Sequence, residues 1–254
     1  MLNRLASGGS LSADEESALY YGLLVLAYHQ RTAALPDLLK LLECRREETD
    51  RLLGDGAIGE VLPRVLMAIG EDNTDDLWSF AMNAPADWLI RDAVLKAWVY
   101  FALTDAVPRE TARAHLETFP TAVELGPEDP YWISWMNAVA DLGLTELGPL
   151  LRTIVESGRI ERGPLGLSEA DYRDILARLE ESTESSRKSV SWRQRAGYTP
   201  FGEEDRVKYD FYNAARLAPG TSQSVSQTLM MQAAEDAANQ PYRIDQAGNE
   251  NTPA

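Results

Sequence analysis

Apolar residues recur along this chain at intervals of three and four, the spacing of one buried helical face. Ala93, Val94, Ala97, Trp98 and Phe101 form the clearest stripe. Leu147, Leu150, Leu151, Ile154 and Val155 repeat it, as do Tyr172, Ile175, Leu176 and Leu179. Leu19 to Ala27 is apolar nearly all round, the pattern of a helix buried among others. Ser12-Ala-Asp-Glu15 has the form of a capping box and opens that helix, which runs to about His29. Pro36 stands where a first helical turn tolerates proline, ahead of Leu38, Leu39, Leu41 and Leu42. Ile58, Leu62, Val65, Leu66 and Ile69 trace a further stripe ending at Gly70. Pro108 starts a short helix, and Ser168-Glu-Ala-Asp171 caps another. No segment sustains the period-two alternation of a strand, so the pattern predicts an all-α protein without a sheet.

A repeat is hinted at. Phe101-Ala-Leu-Thr-Asp-Ala resembles Leu142-Gly-Leu-Thr-Glu-Leu 41 residues later, each closing one apolar helix and leading into the next. A period near 40 is typical of HEAT-like helix pairs, so the expected architecture is an α-solenoid of stacked antiparallel pairs over residues 1–184. Residues 185–254 read as a separate tail. A polar linker begins it, and Trp192, Tyr198, Phe201, Tyr209, Phe211 and Tyr212 suggest an aromatic strap lying on the domain. Val225, Leu229 and Ala233 allow a short helix over 221–238, and the polar end reads as disordered.

Charge sharpens this division. Of 254 residues, 40 are Asp or Glu and 24 are Lys or Arg, and the whole net charge of −16 falls within residues 1–184. Such a field repels phosphate backbones, which argues against nucleic acid and favours a basic protein partner. The single cysteine, Cys44, permits no internal disulfide and fits a reducing cytoplasm. The N-terminus lacks the apolar core of a signal peptide, and the most apolar stretches fall short of a membrane span.

Several segments taken in order carry a family likeness. Ala18-Leu-Tyr-Tyr, Leu38-Leu-Lys-Leu-Leu42, Leu52-Leu-Gly-Asp55, Leu62-Pro-Arg-Val-Leu66, Ile90-Arg-Asp-Ala93 and Trp135 to Leu147 together resemble the bacterial domain-of-unknown-function 1186 family over roughly residues 18–180. The resemblance implies a helical fold and no established activity. Family members often begin with a further helical segment, for which this chain has little room. Many end in a cysteine-rich zinc motif, which is absent from this tail.

The chemistry-bearing patterns are sparse. Gly54-Asp-Gly56-Ala-Ile-Gly59 matches the dinucleotide fingerprint letter for letter. That mechanism needs a strand feeding the turn, whereas Glu47 to Leu53 reads as a helix that these glycines stop. His29 and His115 are far apart and in no metal-binding spacing, and Cys44 lacks a histidine partner. The acidic run Glu71 to Asp76 lacks the glycine and terminal glutamate of a calcium loop, and reads as the start of a helix over Leu77–Met82. No catalytic residue, cofactor or metal is expected.

Six residues stand out as interaction or structural-network candidates: Asp55, Arg64, Arg91, Trp132, Trp135 and Asp141. Arg64 and Arg91 are expected to pair with Asp55 or Asp92 between helices. Trp132 shares a face with Met136 and Val139, which leaves Trp135 on another face as a candidate exposed anchor. The reading that follows is a non-enzymatic protein-binding scaffold or adaptor for a basic segment. The tail's own Arg187, Lys188, Arg193 and Arg195 are an internal candidate for that ligand. The alternatives are an immunity protein that neutralises a basic toxin, and a carboxylate-dependent enzyme.

Overall fold

The computed structural model describes residues 1–43, 46–53, 56–163, 166–181, 187–202 and 205. Asp55, Cys44, the first part of the polar linker (182–186), the strap aromatics Tyr209, Phe211 and Tyr212, the helix expected over 221–238 and the polar end lie outside the described residues. Among the described residues the chain is all α-helix with short 3₁₀ turns, and its sole β feature is a bridge between Arg162 and Leu167.

The elements are α1 (Leu2–Ala6), α2 (Ala13–Tyr28), α3 (Leu35–Leu42), α4 (Arg46–Leu53), α5 (Ala57–Glu60), α6 (Leu62–Ile69) and α7 (Thr74–Asn83). They continue as α8 (Trp88–Leu103), α9 (Arg109–Ala122), α10 (Tyr131–Asp141), α11 (Gly148–Glu156), α12 (Glu169–Glu181) and α13 (Val190–Arg195). Met1–Tyr209 forms one compact unit, which takes in the first part of the segment that composition set apart.

Local chemistry explains the helix starts. Both halves of the Ser12–Glu15 capping box are made, which satisfies two backbone donors that the first turn leaves free. Ser168 accepts from the Asp171 amide at 3.1 Å, and Asp87 accepts from Leu89 at the head of α8. Pro36, Pro63 and Pro149 each occupy the first turn of α3, α6 and α11, where a missing N–H costs nothing.

Helix α8 is the centre of the core. It packs against α5, α6, α7 and α10, and Ala93, Val94, Ala97, Trp98 and Phe101 are all buried. Helix α10 in turn lies against α9 and α12, while α2 covers α4 and α6. Burying one leucine or valine stabilises by about 1.5–3 kcal/mol, so a helix buried on several sides anchors the elements around it.

Two local expectations need correction. Helix α2 is not enclosed: Leu19, Leu23, Leu24 and Ala27 are buried, but Tyr20, Tyr21, Val25 and Leu26 are half-exposed. Its principal packing partners are α4 and α6, and the remaining positions are only partly covered. The stripe from Ile58 to Ile69 divides at Val61 into α5 and α6.

The repeat is also organised differently. The left-handed residues that close α8 and α10 are Asp105 (φ 66°) and Gly143 (φ 60°), 38 rather than 41 residues apart. A closer match joins α2–α3 to α10–α11. Gln30 and Gly143 both have positive φ, Thr32–Ala34 and Thr145–Leu147 are both 3₁₀ turns, and Pro36 and Pro149 both follow, all 113 residues apart. Both helices close with the same pair of hydrogen bonds, Gln30 N to Ala27 O with Arg31 N to Leu26 O, and Gly143 N to Ala140 O with Leu144 N to Val139 O.

Candidate interaction site

The segment 187–202, with Asp205, lies against the helical body and is tied to it by side chains at both ends. Arg187 is the innermost of these, only 2% exposed. Its Nη1 donates to Ala140 O at 2.7 Å, and its Nη2 donates to Arg178 O at 2.7 Å and Leu179 O at 3.3 Å. These carbonyls belong to the last turns of α10 and α12. Helix C-termini carry partial negative charge on their last carbonyls, so one guanidinium adds a charged donor to two helix ends at once, sharing Ala140 O with the Gly143 amide.

The space for Arg187 comes from Gly143. This residue takes φ 60°, which glycine adopts without strain, and a Cβ there would lie 1.8 Å from Arg187 Nη1. Arg109 satisfies further carbonyls at the same helix end, Leu142 O and Gly143 O, both at 3.0 Å. Burial pulls the Arg187 guanidinium below its ordinary pKa, Asp141 opposes the shift, and Arg109 and Arg178 add to it. Its Nε is buried without a hydrogen-bond partner among the described residues.

The middle of the strap centres on Tyr198, which is buried and donates to Asp141 Oδ2 at 2.6 Å. The other carboxylate oxygen receives Arg178 Nη1 at 2.6 Å, while Arg178 Nη2 reaches Asn137 Oδ1 at 2.5 Å. Residues 134, 137 and 141 follow the helical period, so Ser134, Asn137 and Asp141 share one face of α10. From α8, Lys96 lies 5.7 Å from the Tyr198 ring centre, and Trp192 stacks on the same tyrosine with planes 11° apart.

Two carboxylates here are displaced from their ordinary range. Burial raises the Asp141 pKa, opposed by the Tyr198 hydrogen bond and by Arg178, Lys96 and Arg187. Burial also raises Asp92, opposed by a hydrogen bond from Ser134 and by Lys96. The Tyr198 phenol is pushed well up by its burial and by Asp141.

The far end is clamped by Arg64 on α6. Its two terminal nitrogens meet both oxygens of Asp205 at 2.6 Å, and its Nε donates to Thr199 O at 3.0 Å. The Phe201 amide donates back to Arg64 O at 3.0 Å, and the Phe201 ring is buried. Bidentate pairing of this kind is stronger and more directional than a single contact.

The five described candidates, Arg64, Arg91, Trp132, Trp135 and Asp141, are therefore distributed differently from expectation. Arg64 pairs with Asp205 rather than Asp92, and Asp55 lies outside the described residues. Arg91 donates to Ala81 O at 2.9 Å and Met82 O at 3.3 Å, the end of α7, and its guanidinium carbon sits 4.1 Å from the Tyr131 ring centre. The exposed-anchor expectation for Trp135 is overturned: Trp132 and Trp135 are both fully buried. Trp135 Nε1 donates to Leu116 O at 2.9 Å and Trp132 Nε1 to Gly126 O at 3.0 Å. Phe119 stacks on Trp135 with planes 11° apart, so α9 covers the face that a helical wheel leaves open. Arg64 and Asp141 are brought to the strap, whereas Arg91, Trp132 and Trp135 are not.

Arg187, Gly143, Tyr198 and Asp205 share no sequence motif that marks them as one site. A glycine directly after a strong helix, and aromatic residues within an otherwise polar tail, were the available signals. Arg46–Leu53 ahead of the glycine-rich stretch is helix rather than strand. Among the described residues, no three His, Cys, Asp or Glu side chains are grouped as a metal site, and no helix is long and apolar enough to cross a membrane. No family model matches the chain, nor does any curated protein or solved structure.

Proposed function

We propose that this chain is a cytoplasmic, non-enzymatic protein-binding module whose acidic helical body receives a basic segment of a partner protein. One observation carries the reading: the body already holds a basic segment, its own, with Arg187 buried across the ends of α10 and α12. Helix ends that meet a guanidinium with several aligned carbonyls make a specific receptor for arginine, and the field of −16 draws cations toward the surface. The helix–3₁₀–helix connection repeated at Thr32–Ala34 and Thr145–Leu147 supports a HEAT-like stacking of pairs, an architecture that commonly presents extended binding faces. Kinship with the domain-of-unknown-function 1186 family is part of the same proposal and rests on the ordered motifs. Both oxygens of Asp141 are engaged by Tyr198 and Arg178, which favours a binding over an acid–base role for that carboxylate.

The test is a panel of labelled basic peptides titrated onto the full chain, each paired with a copy in which every arginine is glutamine. Binding of the arginine forms, weakening with added salt, supports the module. Equal affinity for both forms of every pair refutes it.

A further inference from the structure

The contacts along the strap spell out a recognition rule. Arg187 reads the two helix ends, Tyr198 eleven residues later reads Asp141, Phe201 fills a buried position beside Arg64, and Asp205 closes on the Arg64 guanidinium. Only part of this segment is core: Lys188, Ser189, Val190, Ser191, Gln194 and Arg195 are exposed. The strap is therefore held at discrete points on complementary groups of the body, as a bound peptide is.

We propose that the strap is an autoinhibitory placeholder, and that the site beneath it takes a partner segment of the same chemistry: an arginine, then at matching intervals a tyrosine, a phenylalanine and a carboxylate. The inference rests on the binding-module reading and adds to it the site, the ligand chemistry and the regulation. A partner segment competes with a tethered copy whose effective concentration is high, so its apparent affinity is reduced by the fraction of time the site is covered. Weakening the strap's own anchors raises the partner's affinity, whereas altering the body's receptors lowers it. An interaction surface without a placeholder shows no such opposition of sign.

The probe is a labelled peptide with the sequence of residues 187–205, titrated by fluorescence anisotropy onto the full chain. The expected result is weak binding to the unaltered chain and at least tenfold tighter binding to the Arg187→Ala, Tyr198→Phe variant. Addition of Asp141→Asn or Arg64→Gln removes that gain, and replacement of the peptide's first arginine by lysine weakens it on every variant. A second reading needs no variant: with the unaltered chain at saturating peptide, hydrogen exchange at the strap amides 189–202 accelerates, and a scrambled peptide has no effect. If the strap variant loses its helical circular dichroism, the exchange measurement alone decides. Unchanged affinity together with unchanged exchange overturns the placeholder. Capture of other arginine peptides with no change in strap exchange also overturns it, while leaving the binding module itself intact.

Discussion

Gly143 and Arg187 occupy what would otherwise be the same space. The glycine closes α10 in the left-handed conformation, and the guanidinium rests where its side chain would begin, 1.8 Å from an ideal Cβ. One residue thus ends a helix and opens the seat for the strap. Gly143→Ala is expected to lose about 2–3 kcal/mol, from left-handed strain and from displacing a buried charged donor. Urea unfolding measures the loss. In a cycle with Arg187→Ala the two losses are expected to be far from additive, since each removes the same seat. Strict additivity would mean that the two residues do not act together.

Arg64 tests the other end. Its planar fork meets both oxygens of Asp205 while its Nε holds Thr199 O, a geometry that a single ammonium cannot reproduce. Arg64→Lys is expected to cost about 1–2 kcal/mol, because the clamp is partly exposed and some screening remains. Hydrogen exchange at residues 199–202 is expected to accelerate more than exchange within α8. Equal acceleration throughout the body would indicate a general loss of packing instead.

Much of the fold was legible because helices are local. The Ser12–Glu15 box, the first-turn prolines and the three-and-four spacing on α8 all report on residues within a few positions of one another. What covers a helix is not local. The wheel separates Trp132 from Trp135 on α10, yet says nothing of Phe119 and the Leu116 carbonyl that α9 brings to the second indole. Arg64 and Asp205 are similarly unreadable as partners at a separation of 141 residues. Asp141 was reachable only as part of a motif, and its receptor role depends on a tyrosine from another segment.

Asp92 on α8 yields a prediction in pH. Burial raises its pKa in the folded chain, with a hydrogen bond from Ser134 and the nearby Lys96 opposing the rise. The folded state therefore binds this proton more tightly than the unfolded state, and the contribution of Asp92 to stability falls as pH rises above the unfolded value near 4. Asp92→Asn removes the ionisation while keeping the shape. Relative to the unaltered chain, the variant is expected to gain stability as pH rises above about 4 and to level off once Asp92 is ionised in the folded chain, as measured by urea midpoints at several pH values. A constant difference across that range would rule out a raised Asp92.

Trp135 separates packing from binding. Its indole is fully buried, stacks on Phe119 and donates to the Leu116 carbonyl, all away from the strap. Trp135→Phe keeps an aromatic ring but leaves a small cavity and an unpaired carbonyl, and is expected to destabilise by about 1–3 kcal/mol. Because none of its named partners is a strap residue, affinity for the 187–205 peptide is expected to stay within twofold of the unaltered chain under conditions where both are folded. A binding defect equal to that of Asp141→Asn would return Trp135 to the interaction surface, and would place the receptor on the α9 side of α10 rather than at its C-terminal end.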